Sequence, residues 1–291
     1  MSLESGHRQI SIYTSESALR QPLRLLRELF RDLAQGRQLG FALAVRDLKA
    51  QYRQSLLGIV WAFGPPIFLA VMLTVAKSNK LYNPGLTTLP FPAYVLISTS
   101  LWQIFTASLN GPMNALQANK GLLTKVRFPR ESVIFADLYK IFFTALIQIA
   151  LIALTFIWFH IPVKPSMVFA PFALLALVAL GTALGLFLAP IGTLYRDVAN
   201  SMQIITLVWL TITPVTYPYP KPGVMEGLFA TTVRLNPVTP LLVTVRELAA
   251  GEPLTLLPQF FMVVGGSLVL LVLGLVVLRV SIPLLIERWS A

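Results

Sequence analysis

Six long apolar blocks dominate this chain, at residues 56–76, 91–110, 132–159, 168–194, 198–217 and 256–285. Each reaches the roughly 20 residues that a helix needs to cross a hydrocarbon core about 30 Å thick. The fold class expected is therefore an all-α integral membrane protein with six transmembrane helices. Composition agrees. Charged residues make up 12% of the chain, against about 25% in a soluble domain. So few charges cannot cover a water-exposed surface of this size.

The net charge of +11 raises the question of nucleic acid. The basic residues flank the apolar blocks, which is how a cytoplasmic membrane face is marked, so no nucleic-acid partner is expected. Arg46, Lys49 and Arg53 stand just before the first block. Lys120, Lys125, Arg127 and Arg130 occupy the second loop, Arg196 the fourth, and Arg288 the tail. The alternate loops carry only Lys77 and Lys80, then Lys164, then Lys221, Arg234 and Arg246. This asymmetry puts both termini in the cytoplasm. Residues 1–55 read as a cytoplasmic N-terminal segment and 56–291 as the transmembrane domain. The first 15 residues lack an apolar core followed by a small-residue cleavage site, so no cleavable signal peptide is expected. Cysteine is absent, which excludes thiolate chemistry and zinc–cysteine sites.

Residues 22–35 have helical periodicity. Leu23, Leu26, Phe30 and Leu33 form one stripe, with Arg24, Arg27, Glu28 and Arg31 opposite. Pro22 suits the first turn and Gly36 the stop. A helix too charged to span, yet apolar on one face, lies on the membrane or against a partner. A second amphipathic stretch, 41–53, leads into the first block, where Pro65-Pro66 is expected to kink the helix. The stretch 218–253 is neither a plain loop nor a continuous span. Its two apolar patches, 224–232 and 240–248, are split by Leu235-Asn236-Pro237. They read as two short re-entrant helices, tolerated at membrane depth where protein or a watery cavity covers them.

Chemistry-bearing residues are sparse. Asp137 lies well within a block, with Lys140 three residues on, a spacing that places both on one helix face for mutual neutralisation or, alternatively, an ion or proton site. His7 and His160 fall in different compartments, which suits neither a metal site nor a triad. No phosphate-binding loop of the Gly-x-x-x-x-Gly-Lys-Ser/Thr type occurs, so ATP hydrolysis by that route is not expected of this chain. Gly181-x-x-x-Gly185 with Ala189 forms a small-residue stripe that serves helix packing within the chain or between subunits. Trp61, Phe63, Tyr94, Trp102 and Phe105 sit near span ends or inside spans. They read either as core and lipid-facing packing or as a surface on which sugar rings stack.

Several short motifs, in order, carry a resemblance. They are Arg46-Asp47-Leu48-Lys49-x-x-Tyr52-x-x-Ser55-x-x-Gly58-x-x-Trp61-x-x-x-x-Pro66, then Leu123-Thr124-Lys125-Val126-x-Phe128-Pro129-Arg130-Glu131, then Tyr195-Arg196-Asp197-Val198, and finally Pro214-Val215-x-Tyr217 with Asn236-Pro237 and Arg246. From about Leu39 onward the chain resembles the membrane subunit of type-2 ABC exporters of polysaccharides, the O-antigen, teichoic acid and capsule exporters. Pro65 stands where that pattern has a polar residue such as glutamine. The resemblance implies a homodimeric permease of the bacterial inner membrane, two separate nucleotide-binding ABC ATPase subunits, and a glycan carried on a polyprenyl pyrophosphate. It implies no cofactor in this chain, with ATP and Mg on the partner. It places ATPase coupling on Lys125, Arg127, Phe128, Pro129 and Arg130, with Arg196 and Asp197, and with Arg27 and Arg31 of the N-terminal helix. Arg46, Lys49 and Arg53 either attract the lipid pyrophosphate, as clustered basic residues do, or only set topology.

Other readings stay open. One is a type-2 permease for a drug or a lipid. Another is a membrane transferase acting on a polyprenyl phosphate, for which Asp47 and Asp197 are the metal-binding candidates near the surface. A third is a non-transporting scaffold. Topology is directly testable, since single cysteines can be introduced without background. Residues 1, 117 and 291 are expected to be shielded from an impermeant thiol reagent in intact cells, and 83 and 226 to be labelled. Labelling of Gln117→Cys from outside overturns the orientation.

Overall fold

The computed structural model describes residues 22–53, 56–125, 131–220 and 227–290, with side chains described for all of these except 22–35, 131, 196 and 290. The elements are α1 (Pro22–Arg53), a 3-10 segment (Gly58–Phe63), α2 (Gly64–Ser78), α3 (Phe91–Ala118), the short α4 (Lys120–Lys125) and α5 (Glu131–Trp158). A second 3-10 segment (Pro165–Phe169) follows, then α6 (Ala170–Leu194), α7 (Arg196–Thr211), α8 (Leu228–Leu235), α9 (Val238–Ala250) and α10 (Leu257–Ser290). Among the described residues there is no strand. The all-helical class is as expected.

Four segments are long and apolar enough to cross a membrane: Gly58–Ser78, Ser132–Trp158, Pro165–Leu194 and Leu257–Trp289. The pair α8 and α9, bent by 74° at Asn236-Pro237, makes a fifth if taken as one broken span. Six were expected, and the difference has two causes. The block at 91–110 lies in α3, which has 28 residues but is diluted by Ser98, Thr99, Ser100, Gln103, Thr106, Ser108 and Asn110. The block at 198–217 forms only the 16-residue α7.

The polar helix α3 is nonetheless the centre of the bundle, packed by α6, α5 and α2. Several of its polar side chains fold back on their own helix. Thr99 donates to the Val95 carbonyl at 2.6 Å, Ser108 to Ile104 at 2.8 Å, and Asn110 to Thr106 at 3.0 Å. The hydroxyls of Thr99 and Ser108, satisfied this way, cost little to bury. Phe105, Leu101 and Leu109 of α3 join Leu177 and Leu186 of α6 and Leu241 and Leu242 of α9 in one core. All 13 residues of α9 are buried.

Glycines set how closely these helices approach. A Cβ on Gly181 would lie 2.7 Å from the Ser108 Cβ and 2.9 Å from the Phe105 carbonyl, and one on Gly185 would strike the Leu109 carbonyl. The stripe on α6 thus packs within the chain, against α3. Gly36 and Gly40 do the same between α1 and α5. Their added Cβ atoms would lie 2.9 Å from Ser132 Oγ and 2.5 Å from Phe135 Cβ. This overturns the reading of Gly36 as a helix stop. The helix continues to Arg53 because the missing side chain lets α5 come close.

The double proline also behaves differently from expectation. Pro65 and Pro66 occupy the first turn of α2, where the absent N–H groups would have no acceptor in the helix. The preceding carbonyls find other donors. Gly64 N–H bonds Trp61 O, and Gln148 Nε2 of α5 bonds Ala62 O at 3.0 Å. A side chain from another helix supplies the donor that Pro66 lacks.

These contacts predict opposite signs for two Gly→Ala changes. Gly121 faces open space, so Gly121→Ala should raise the thermal midpoint of the purified chain slightly, through about 0.5–1 kcal/mol of helix propensity. Gly40→Ala gains the same propensity but meets the Ser132 carbonyl at 2.9 Å, and should lower the midpoint by an overpacking cost of about 1–3 kcal/mol.

Candidate functional site

The motif residues gather at the two ends of the bundle. At the basic end, Arg46 Nη2 donates to Asp47 Oδ1 at 2.6 Å and to Asn119 Oδ1 at 2.7 Å. Asp47 Oδ2 accepts from Lys140 Nζ at 3.4 Å. One polar chain therefore runs from α5 through α1 to the α3–α4 junction. Lys140 makes its close ion pair with Asp47, while remaining near enough to Asp137 to act on its charge. Asp137 itself is buried against Gly111 of α3, where an added Cβ would sit 2.5 Å from its Oδ1. Both Asp47 oxygens are taken by cations, and Asp197 is exposed in the first turn of α7.

Asn119 forms the joint between α3 and α4. Its backbone N–H bonds the Ala115 carbonyl at 3.1 Å and its carbonyl accepts from Leu122 and Leu123 at 3.0 and 2.9 Å. Its Nδ2 returns to Ala115 O at 2.9 Å. Leu122 of α4 packs against the cluster of Leu43 and Ala44 of α1 with Ala136 of α5, and Leu123 inserts into the main core. Nothing in the sequence signalled Asn119. Its one clue is its place beside Lys120 in the second loop, beyond a long apolar block, where a capping side chain is useful.

The expected coupling residues are distributed as follows. Lys125 is exposed at the end of α4. Arg127, Phe128, Pro129 and Arg130 lie outside the described residues, as do the side chains of Arg27, Arg31 and Arg196. Of the expected pyrophosphate group, Lys49 and Arg53 are exposed on the last turns of α1, whereas Arg46 is engaged with Asp47 and Asn119.

At the opposite end the scattered pieces of the fourth motif converge. Arg246 of α9, 5% exposed, donates from Nη1 to Ser98 Oγ at 3.0 Å and to the Pro214 carbonyl at 2.9 Å. Its guanidinium lies 4.2 Å from the Tyr94 ring centroid. Tyr94 OH donates to the Tyr217 carbonyl at 2.7 Å, and Tyr82 OH to the Thr216 carbonyl at 3.1 Å. Asn236, at the bend, accepts from Trp209 Nε1 at 3.0 Å and donates to Thr213 Oγ1 at 2.8 Å. The non-helical run after α7 thus has its carbonyls held by side chains of α3, α9 and the loop before α3. A buried cation of this kind persists only with backbone and aromatic partners of this sort.

The aromatic set divides. Trp61 is 62% exposed on the first 3-10 segment and Phe63 is half-buried. Tyr94, Trp102 and Phe105 are buried. Trp102 and Phe105 pack on each other at 5.2 Å and on Trp209 at 6.5 and 5.4 Å. Trp102 turns toward Trp209 of α7, whereas Tyr94 lies in a cluster with Ala70 of α2 and under Arg246 of α9.

Comparison with known proteins bears on both ends of the bundle. The profile of the ABC-2 type transporter family matches residues 38–249, from the second half of α1 through α9. The chain is 30% identical over 206 residues to the O-antigen export system permease protein RfbA of Myxococcus xanthus, covering 67% of this chain and 73% of that protein. It is 21% identical over 211 residues to a Klebsiella pneumoniae protein of the same name, covering 70% and 76%. The match contains Arg46, Asp47, Asn119, Pro214, Asn236 and Arg246, and with it the multi-pass helical chain described above belongs to the ABC-2 type transporter family.

Proposed function

We propose that this chain is the membrane subunit of an ATP-driven exporter that moves a lipid-linked polysaccharide, an O-antigen chain on a polyprenyl pyrophosphate, across the bacterial inner membrane. The family match over residues 38–249, together with the O-antigen export systems named for the relatives, carries this reading. The basic end is cytoplasmic, so both termini are inside. α3, and α7 with its extension to Tyr217, cross as well, which brings the number of spans to six. α8 and α9 form the re-entrant pair, and α1 lies along the membrane surface.

Two copies of the chain form the path, and each is served by one copy of a separate ABC ATPase that binds ATP and Mg. This chain holds no cofactor and hydrolyses nothing. The ATPase seats on α4 and the Arg127, Phe128, Pro129 and Arg130 that follow it, with Arg196 and Asp197 beside them and Arg27 and Arg31 of α1 against its flank. Pro129 fixes its own φ just before α5, so force on the loop reaches that helix with little slack. Closure of the ATPases then moves the helices as rigid bodies. Exposed Lys49 and Arg53 attract the pyrophosphate. Exposed Trp61 and half-buried Phe63 offer ring faces to sugars.

Deleting the gene should leave the glycan on its carrier inside the cell and strip it from the surface, with drug tolerance unchanged. An intact surface glycan together with loss of drug or lipid export would favour a different cargo. The double variant Lys125→Glu, Arg130→Glu should reach the membrane in normal amounts and lower export roughly tenfold or more, the scale of a coupling free energy of 1–3 kcal/mol. Export at the wild-type rate would remove the second loop from the coupling path. At the external end, Tyr94→Phe removes the bond to Tyr217 O but keeps the ring under Arg246. It should lower stability by about 0.5–1.5 kcal/mol, whereas Arg246→Ala strips every one of its contacts and should cost more. Equal thermal midpoints for the two variants would show that Arg246 is not what holds the Pro214–Tyr217 run.

A further inference from the structure

Three residues within one turn of the α3–α4 junction each reach a different element of the basic end. Gln117 Nε2 donates to the Gly192 carbonyl at 3.0 Å, close before the α6–α7 turn. Asn119, 1% exposed, accepts from Arg46 of α1 at 2.7 Å. Lys120 Nζ lies 5.3 Å from the ring centroid of Trp289, at the far end of α10. Apolar anchoring runs in similar directions, since Leu122 flanks the cluster of Leu43 and Ala44 of α1 with Ala136 of α5, and Leu123 shares a core with Met202, Leu285 and the flanking Trp289.

We infer that Gln117, Asn119 and Lys120 form a mechanical junction that distributes movement of α4 to α1, to the α6–α7 turn and to the end of α10 together. This rests on the proposed seating of the ATPase on α4. Asn119 suits the role for a physical reason. It ends α3 and begins α4 through its own backbone, so a tilt of α4 turns about this residue. Its side-chain oxygen meets a guanidinium that is itself fixed by Asp47, and Asp47 is tied by Lys140 to α5. A charge-assisted bond with a fixed partner transmits displacement better than a free side chain would. Trp289 lies forty residues beyond the end of the family match at 249, so this contact brings the C-terminal helix into the movement. These are positioning residues. None is asked to touch cargo or nucleotide.

Hydrogen–deuterium exchange of the full complex in nanodiscs, with and without ATP, tests the junction one arm at a time. In the wild type, ATP should change protection in α4 and also at 41–53, 189–200 and 283–290. Asn119→Leu should shrink the ATP-dependent change at 41–53 roughly fivefold, the low end of coupling between linked sites, while α4 and the other two arms still respond. Asn119→Asp keeps an acceptor for Arg46 and should restore it. Gln117→Leu should silence 189–200 alone, and Trp289→Ala 283–290 alone. If α4 responds in every variant and all three arms respond as in the wild type, the junction is refuted while the ATPase seat stands. If α4 shows no ATP response in the wild type, the seat is wrong, and the junction has no input and falls with it. Nucleotide-independent loss of protection throughout a variant would mark a folding role and overturn the inference as well.

Discussion

Close approach at glycines is the constraint on which the rest of this structure depends. Between helices in a bilayer there is no water to expel, so association relies on packing and on polar bonds across the contact. Here a single series of glycine contacts joins five helices. Gly36 and Gly40 bring α1 onto α5. Gly111 brings α3 onto Asp137 of α5. Gly181 and Gly185 bring α6 onto α3, and Gly274 brings α10 onto α6, where an added Cβ would lie 2.9 Å from the Leu186 Cβ. A side chain at any of these positions would separate two neighbours and shift everything beyond them. The polar chain at the basic end depends on the same series, because Arg46 reaches Asn119 only if α1 is seated close to α5.

Much of the architecture was legible in the chain because hydrocarbon allows few solutions. Long apolar blocks became helices, and Leu235-Asn236-Pro237 became the break between α8 and α9. What was not legible is which helix neighbours which. Gly36 fitted a helix stop by local rules, but its partner Ser132 lies nearly a hundred residues away. The Asp137 and Lys140 spacing was sound helical geometry, yet Asp47 on another helix proved the better partner for Lys140. The double proline was read for its cost, whereas the structure puts it at a helix start and answers Ala62 O with Gln148.

The site was less legible than the fold, for a related reason. Arg246, Pro214, Tyr217 and Asn236 were recognisable as pieces of a pattern, but a pattern does not say that its pieces meet. Their meeting point turns out to be a bare stretch of backbone, and Tyr94 and Ser98 belong with them, although Tyr94 was read with the aromatic set and Ser98 was not singled out. Likewise the aromatic residues of α3 carry the composition of a stacking surface, but the Trp102 and Phe105 rings pack against Trp209 and the Tyr94 ring lies under Arg246.

The shortness of α7 has a consequence for the membrane around it. Sixteen residues rise about 24 Å, some 6 Å less than a typical hydrocarbon core. On the six-crossing reading, the remaining depth is occupied by the run from Thr213 to Tyr217, whose peptide groups are polar and whose carbonyls are tethered. Lipid beside this helix must thin or tilt to match it, at a cost of fractions of a kcal/mol per ångström of mismatch. On that reading the oily barrier along α7 is shallower than a full-length span would leave. A charged head group passing there would have a shorter low-dielectric stretch to cross, so part of the work of transport would already be done by the shape the protein imposes on its own solvent.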